Sequence, residues 1–214
     1  MDKTVYLIRH GESEHNIAPV FQAPDSPLSK RGIRQAENVA ERAEGLSFET
    51  LISSPLPRTK ETAEAIARRT GKQVDYSDLF VERITPTSIH GKPYTDAVAN
   101  DVWREWDRSL WTPGLRVEDG ENFGDIVARA DKALDYLRDR PETSMVVVTH
   151  AYFLRTMIAR LLIGDFLTAE IFREFQKGVS MENTGITVLR YHGGFEQDPR
   201  WHLWTYNDHA HLAP

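Results

Sequence analysis

The sequence contains no cysteine, and this absence removes several kinds of chemistry. Its 214 residues cannot form disulfides, supply a thiolate nucleophile or ligate a metal through sulfur. No apolar run approaches the roughly 20 residues needed to cross a bilayer. The N-terminus enters a predicted strand almost at once, without the apolar segment of a secretory signal. We therefore expect a cytoplasmic protein that does not associate with a membrane.

The sequence also has no excess of positive charge. Its 26 Lys and Arg residues against 32 Asp and Glu residues give a formal net charge of −6. General nucleic-acid binding requires clustered basic side chains, so we expect no nucleic-acid partner. The glycine-rich GxxxxGKS or GxxxxGKT loop is absent as well, which argues against a nucleotide kinase. With 40% hydrophobic and 27% charged residues, the composition is typical of a soluble globular enzyme.

Apolar strands alternate with amphipathic helices along the chain. The strand candidates are residues 5–8, 50–52 and 145–148, and the first is a continuous apolar run of the kind that is buried on both faces of a sheet. The alternation predicts an α/β fold: a three-layer sandwich with a mostly parallel central sheet, helices on both faces and a small insertion over the C-terminal ends of the strands. We expect a single domain, 1–214, with the insertion at about 83–120.

Helix signals follow the strand candidates. The first predicted helix begins after Ser29 and ends at Gly45, with Ile33, Ala36 and Val39 on its buried face. Further helices are predicted at about 58–69, 123–137 and 152–163. Two C-terminal strands, 185–191 and 201–206, are predicted with a turn at 192–194 between them, and they could extend the sheet at an edge.

The predicted insertion has an irregular pattern with one short helix candidate near 96–108. Its three tryptophans, Trp103, Trp106 and Trp111, could close a small satellite core, form a lid or contact a second subunit. Its polar residues Ser88, His90, Lys92 and Tyr94 either line the mouth of a pocket or form a solvated loop.

Related polar side chains follow three of the predicted strands. Arg9 and His10 follow the first, Arg58 comes shortly after the second, and His150 follows the third. Each alone has an ordinary explanation, such as a hydrogen-bonded structural histidine or a surface arginine. Because ligands of open parallel sheets bind outside the carboxyl ends of the strands, we expect the four side chains to share a cleft there.

Such a cleft suits a phosphoryl group better than a carboxylate. Two guanidinium forks and the N–H groups of nearby helix N-termini supply dense cationic donors. Phosphoryl transfer also needs an in-line nucleophile and a proton for the leaving oxygen. In a chain without cysteine, histidine is the natural nucleophile, because neutral imidazole attacks phosphorus without a base if its other nitrogen is held as N–H.

Several separated segments resemble the histidine phosphatase superfamily, also called the phosphoglycerate mutase-like family. The segments are RHGES at 9–13 with Asn16, DSPLSKRG at 25–32, SSPL at 53–56 with Arg58, Glu82-Arg83, DGE at 119–121, VVTH at 147–150 and NTGIT at 183–187. They occur in the order of the family and span about residues 3–190, most of the chain. A bare Arg-His-Gly would be weak evidence, whereas the ordered set is strong.

The resemblance implies a role for each matched side chain. The catalytic set is His10, Glu82 and His150, and the phosphate-binding set is Arg9, Arg58, Asn16 and His150. His10 would become phosphorylated, and Glu82 would protonate the leaving oxygen and later activate water. No metal or other cofactor is implied, because the arginines supply the positive charge. The implied partner is a small phosphorylated metabolite; the oligomeric state is open, with a homodimer as one option.

Departures from the family pattern separate the possible activities. His15 stands where the mutase branch typically has tryptophan, and residues 84–92 lack the Tyr-Gly-Ala-Leu run of that branch. The insertion also looks short for a bisphosphoglycerate-dependent mutase. We therefore favour hydrolysis of a small phosphomonoester. Phosphoglycerate mutase-type transfer and a non-catalytic phosphate- or phosphoprotein-binding module are the alternatives.

Overall fold

The computed structural model describes residues 2–192 and 199–212. The strands in this part of the chain are β1 (Lys3–Arg9), β2 (Thr50–Ser53), β3 (Val74–Tyr76), β4 (Ser144–Thr149), β5 (Ile186–His192) and β6 (Arg200–Asp208). They form one sheet in the order β3-β2-β4-β1-β5-β6. The first four in this order pair in parallel, and β5 and β6 add antiparallel pairs at one edge. The predicted mostly parallel sheet is confirmed.

Helices cover both faces of the sheet. The α-helices of the described residues are α1 (Glu14–Ile17), α2 (Lys30–Glu44), α3 (Pro57–Thr70), α4 (Ala97–Arg108), α5 (Phe123–Asp139), α6 (Ala151–Ile163) and α7 (Ala169–Gly178). Successive strand residues point to opposite faces, so Val147 packs in the core beneath α5 and α6, and Val148 packs in the core beneath α2 and α3. The three-layer arrangement is confirmed, and it explains why these strands are apolar on both faces.

The predicted ends of the first long helix agree with the structure, but one prediction about its buried face does not. The Ser29 hydroxyl accepts a hydrogen bond from Gly32 N at 3.0 Å at the start of α2, and Gly45 ends that helix. Ile33 was predicted to be buried, and that prediction is wrong, since it is 51% exposed. Its side chain faces a surface groove between α2 and α3, beside Glu64, instead of the sheet.

The C-terminal strands are confirmed as the antiparallel pair β5 and β6. The turn predicted at 192–194 lies, after His192, outside the described residues. The structure adds three elements without a sequence prediction: α1, the edge strand β3 and α7. Among the described helices, none is both long enough and apolar enough to cross a bilayer.

Two hydrogen bonds between Ile84 and Glu121 join the ends of the segment that was predicted as an insertion. Glu121 N donates to Ile84 O at 2.9 Å, and Ile84 N donates to a Glu121 carboxylate oxygen at 2.9 Å. Within the segment, α4 agrees with the helix predicted near 96–108. The tryptophans have different surroundings: Trp106 is buried against the Arg83 guanidinium at 3.6 Å, whereas Trp103 is 38% exposed.

Two glycines allow the loop after β1 to contact α2 closely. A Cβ added to Gly32 would lie 1.9 Å from the carbonyl oxygen of Glu12, and one added to Gly11 would lie 2.6 Å from Gly32 O. Because the colliding atoms belong to the backbone, the clash cannot be relieved by a side-chain rotation. The G32A substitution should therefore lower the free energy of unfolding by about 3 kcal/mol or more in urea denaturation.

The matched control for G32A is G45A at the other end of the same helix. There the nearest atom to an added Cβ is Arg42 O at 3.6 Å, an ordinary van der Waals distance. We expect a change within about 1 kcal/mol for G45A. Equal unfolding free energies for G32A and the wild type would contradict the close contact.

Candidate active site

The carboxyl ends of β1, β2 and β4 bring four of the sequence-predicted side chains together. In the parallel pair of β1 and β4, Arg9 lies opposite Thr149, so His10 and His150 both come immediately after the paired residues. Their rings are 5.0 Å apart between centroids. Arg58, in the first turn of α3, donates from Nε to His10 Nε2 at 3.3 Å.

Two hydrogen bonds define the tautomer of His10. Its Nδ1 lies 2.6 Å from the carbonyl oxygen of Gly11, which can only accept, so Nδ1 carries the proton. Its Nε2 faces the Nε–H of Arg58, which can only donate, so Nε2 carries the lone pair. Burial, and then the charges of Arg58 and Arg9, hold the pKa of His10 well below its ordinary value of 6.5. His10 is therefore neutral at neutral pH, with Nε2 unprotonated.

His150 is a second buried, neutral imidazole. Its Nε2 lies 2.9 Å from the hydroxyl of Ser54, which follows β2. Burial, and then the charge of Arg58, hold its pKa well below 6.5. Its Nδ1 is buried without a hydrogen-bond partner among the described residues, as is Nε of Arg9. Buried polar atoms without partners are rare in proteins, so these two indicate a place for a polar ligand.

Arg58 is buried, Arg9 is half-buried, and both guanidinium groups remain charged. Arg9 donates to Met181 O, and Arg58 donates from Nη1 to Pro24 O at 3.2 Å. Burial lowers the pKa of Arg58 to about 10 and lowers that of Arg9, while the nearby carboxylate of Glu82 raises both. Two guanidinium groups beside two neutral imidazoles form a strongly cationic cleft that suits a dianion.

Glu82 reaches the same region from the loop after β3. Its carboxylate accepts from Phe153 N at 2.9 Å and from Tyr152 N at 3.3 Å, in the first turn of α6. His150, the residue before α6, makes no side-chain cap, so Glu82 caps this helix N-terminus in its place. The helix that follows one buried histidine therefore positions the carboxylate beside the two arginines.

A buried ion pair behind Glu82 positions its loop. Arg129 binds the Glu121 carboxylate with two hydrogen bonds of 2.7 Å. The same guanidinium donates to the carbonyl oxygens of Leu79, Val81 and Glu82 at 3.0, 2.8 and 3.2 Å. Sequence reasoning assigned no role to this pair, although Glu121 lies in the DGE segment and Arg129 follows it by two helical turns.

Asn16 is the predicted site residue whose described hydrogen bonds do not include the cluster. It is exposed in α1, and its Oδ1 accepts from Ser13 N at 2.9 Å. Its described contacts do not include the clustered arginines or histidines, so its part in phosphate binding stays a prediction. Two residues without a predicted role do support the cluster: Ser54 holds His150, and Asn183 donates to His10 O at 2.9 Å. Both lie in segments that resemble the family, which is the signal that could have found them.

The low pKa values of His10 and His150 predict a pH-dependent stability. In the unfolded chain both imidazoles take up a proton near pH 6.5, whereas in the folded protein they resist protonation. The unfolded state therefore binds more protons as the pH falls below 6.5, and the free energy of unfolding decreases by up to about 1.4 kcal/mol per pH unit for each histidine.

Urea denaturation between about pH 7.5 and about pH 5.5 measures this effect. Replacing His150 by asparagine should remove one titrating group and flatten the decrease of unfolding free energy with pH. Other acid-titrating groups are the same in both proteins, so the difference between the two slopes isolates the histidine. Identical slopes for H150N and wild type would contradict the assigned neutral state.

Among residues 2–192 and 199–212, no group of three or more His, Asp or Glu side chains is placed to hold a metal ion. Two cavities adjoin the cluster instead. One of about 640 Å³ is lined by Arg58, Glu82 and aliphatic side chains. The other, of about 550 Å³, is lined by Glu82 and aromatic side chains. Glu82 thus lines both cavities, which could hold the remainder of a ligand.

The chain is similar to several known proteins. The model of the histidine phosphatase superfamily (branch 1) matches residues 5–207. A probable phosphoglycerate mutase, GpmB, from Escherichia coli is 31% identical over 212 residues, which cover 97% of this chain and 94% of the relative. The structure of Bacillus stearothermophilus YhfR has a TM-score of 0.78 at 25% identity, over 99% of this chain and 100% of that chain.

A third similar protein is a phosphoserine phosphatase from Entamoeba histolytica, solved as a mutant in complex with phosphoserine. It has a TM-score of 0.75 at 25% identity, over 99% of this chain and 100% of that one. The chain described here belongs to the histidine phosphatase superfamily, branch 1.

Proposed function

We propose that this protein is a phosphatase that hydrolyses small phosphomonoesters through a covalent phosphohistidine on His10. The observation that carries the proposal is the state of that ring. A neutral imidazole, with Nδ1–H held by Gly11 O and the Nε2 lone pair facing a buried guanidinium, is ready to attack an electrophile. The phosphatase among the similar structures supports hydrolysis.

In the first step, His10 Nε2 attacks phosphorus, and the bond from phosphorus to the ester oxygen breaks. Glu82, in its protonated form, gives a proton to that oxygen, so the alcohol leaves uncharged. Arg9, Arg58 and His150 bind the phosphoryl oxygens, with Asn16 assisting. The contact between Arg58 Nε and His10 Nε2 gives way to a contact with the phosphoryl group. The guanidinium charges stabilise the transition state, so the reaction needs no metal ion.

In the second step, water attacks the phosphorus of the phosphohistidine. Glu82, now a carboxylate, takes a proton from that water, and the bond between Nε2 and phosphorus breaks. Inorganic phosphate leaves, and His10 is again neutral. The N-terminus of α6 and the Arg129–Glu121 pair hold Glu82 in one place for both proton transfers.

A second candidate activity is transfer of the phosphoryl group between two hydroxyls of a phosphoglycerate. The name of the Escherichia coli relative favours it. It would use the same first step, with a substrate hydroxyl replacing water in the second. Incubation with 3-phosphoglycerate separates the two: a phosphatase releases inorganic phosphate, whereas a mutase forms 2-phosphoglycerate. A non-catalytic phosphate-binding module would do neither and would not turn over p-nitrophenyl phosphate.

The role of Glu82 as proton donor is tested with leaving groups of different basicity. We expect E82Q to lower kcat/KM for ethyl phosphate about 10² to 10⁴-fold, because an alkoxide needs a proton in order to leave. For p-nitrophenyl phosphate, whose leaving group is a stable anion, the loss should be much smaller. Steady-state kinetics with both substrates measure the difference.

The control for E82Q is E174Q, which alters an exposed carboxylate on α7. It should change kcat/KM for neither substrate. Equal losses for ethyl and p-nitrophenyl phosphate in E82Q, or full activity on ethyl phosphate, would show that another group is the acid.

A further inference from the structure

The space beside Glu82 is divided into two cavities with different walls. Both are lined by Gln22, Glu82, Arg83 and Thr85. Aliphatic side chains dominate the larger one. The smaller one, which we call the aromatic cavity, is lined by the rings of Phe21, Tyr94, Trp103, Trp106 and Tyr152. Because Glu82 is the proposed proton donor, the alcohol part of a substrate must lie in this space.

The rings of the aromatic cavity are held by contacts with one another and with the core. Phe21 is buried, and its ring meets Tyr94 edge-on at 4.9 Å and Trp103 at 6.2 Å. Tyr152 packs edge-on against the buried Phe172 at 5.7 Å. Trp103 and Tyr94 keep part of their surface free, since they are 38% and 49% exposed. A preformed wall of rings is suited to a flat, apolar ligand.

The positive side chains of the two cavities already have partners. The Arg83 guanidinium donates to Trp106 O, Glu121 O and the Ser109 hydroxyl, and it stacks on the Trp106 ring. Arg129 is paired with Glu121. The His90 ring donates from Nε2 towards Thr85 O at 3.0 Å.

Arg58 contacts His10 and Pro24, and the proposed mechanism commits its guanidinium to the phosphoryl group. Among the described residues that line the two cavities, the Arg and Lys side chains are Arg58, Arg83 and Arg129. Asp107 in the aromatic cavity and Asp78 in the larger one add negative charge. A carboxylate on the substrate would therefore lie among like charges without a free cation, which is unfavourable.

We propose that the aromatic cavity binds the alcohol part of the substrate, and that the preferred substrate is the phosphomonoester of an uncharged alcohol carrying an aromatic ring. This inference rests on the proposed phosphatase activity and narrows its substrate class. It separates this chain from phosphatases and mutases that act on phosphorylated carboxylic acids.

Three substrates test the proposal on the wild-type protein: 2-phenylethyl phosphate, ethyl phosphate and 3-phosphoglycerate. The first two release alcohols of similar acidity, so a difference in kcat/KM reports binding of the ring. We expect 2-phenylethyl phosphate to exceed each of the others by at least about ten-fold. A preference for 3-phosphoglycerate, or equal values for the two uncharged alcohols, would overturn the proposal.

Two substitutions of Trp103 locate the binding site. W103A should lower the ratio of kcat/KM for 2-phenylethyl phosphate over ethyl phosphate by about ten-fold, while W103F, which keeps a ring, should retain most of it. W204A, which removes a ring that is 60% exposed on β6, should change neither the ratio nor the turnover. An unchanged ratio in W103A would overturn the assignment of the cavity, and circular dichroism verifies that the variant is folded.

A failure of the proposed function looks different in the same experiment. If the wild type turned over none of the three substrates and also failed with p-nitrophenyl phosphate, the phosphatase activity itself would be disproved, and this inference with it. Turnover of ethyl phosphate without any preference for the ring would leave the phosphatase activity standing and disprove only the aromatic preference.

Discussion

Substitution of His10 by alanine should lower phosphatase turnover by at least about 10⁴-fold, because it removes the imidazole that accepts the phosphoryl group. The ring is buried, carries its lone pair on Nε2 and contacts the Arg58 guanidinium. Release of inorganic phosphate from p-nitrophenyl phosphate and from an alkyl phosphate measures the loss.

Because His10 is buried, its removal could also disturb the fold, and two further variants separate these effects. H10N keeps a polar group of similar size and should remain folded while losing the same activity. H202A alters an exposed histidine on β6 and should leave turnover unchanged. Retention of more than about a hundredth of the activity in a folded H10N would contradict the nucleophile assignment.

Substitution of Arg58 by alanine is expected to lower kcat/KM by about 10³-fold or more, since its guanidinium would stabilise charge on the transferring phosphoryl oxygens. The side chain is one of the largest that are fully buried, and it is the one that contacts Nε2 of His10. Lysine restores the charge without the planar fork, so R58K should recover only part of the loss. Steady-state kinetics on one alkyl phosphate compare the three proteins.

The control for Arg58 lies on the same helix. Arg68 is exposed on α3 and pairs with Glu37 at 2.7 Å on the surface, so R68A should change kcat/KM less than two-fold by the usual weakness of surface ion pairs. If R58A lost less than about ten-fold, the positive charge that the mechanism requires would have to come from elsewhere.

The sequence predicts the central part of the fold because its signals there are local. Residues 5–8 and 145–148 are apolar on both faces, which is typical of parallel strands under two helical layers. Parallel strands end at one edge, so the residues that follow them can be placed together without knowing any side-chain contact. This reasoning is why Arg9, His10 and His150 were expected in one cleft, where the structure places them.

The support of Glu82 could not be predicted in the same way, because it depends on contacts between distant parts of the chain. The carboxylate is held by backbone N–H groups of α6, about 70 residues away. The Arg129–Glu121 pair reaches the same loop from α5. Sequence spacing carries no signal for such contacts, and the resemblance to the family was what singled out Glu82.

Short or exposed elements were also outside the reach of the sequence. The edge strand β3 has three residues, of which only Val74 is apolar, so no strand periodicity can appear. Ile33 has the helical spacing of a buried residue, but its place relative to α3 decides its exposure. In contrast, the sequence does contain a signal for α7, which the prediction missed. Thr168 can serve as the N-cap, and Phe172 and Phe175 follow at helical spacing.

The central claim is that His10 carries the phosphoryl group during turnover, and mass spectrometry of the trapped enzyme tests it most directly. The protein is mixed with an alkyl phosphate, quenched in alkali, which preserves phosphohistidine, and digested. We predict one phosphoryl group on the peptide that contains His10 in the wild type and none in H10N. Phosphorylation of a different residue, or full turnover by H10N, would contradict the account.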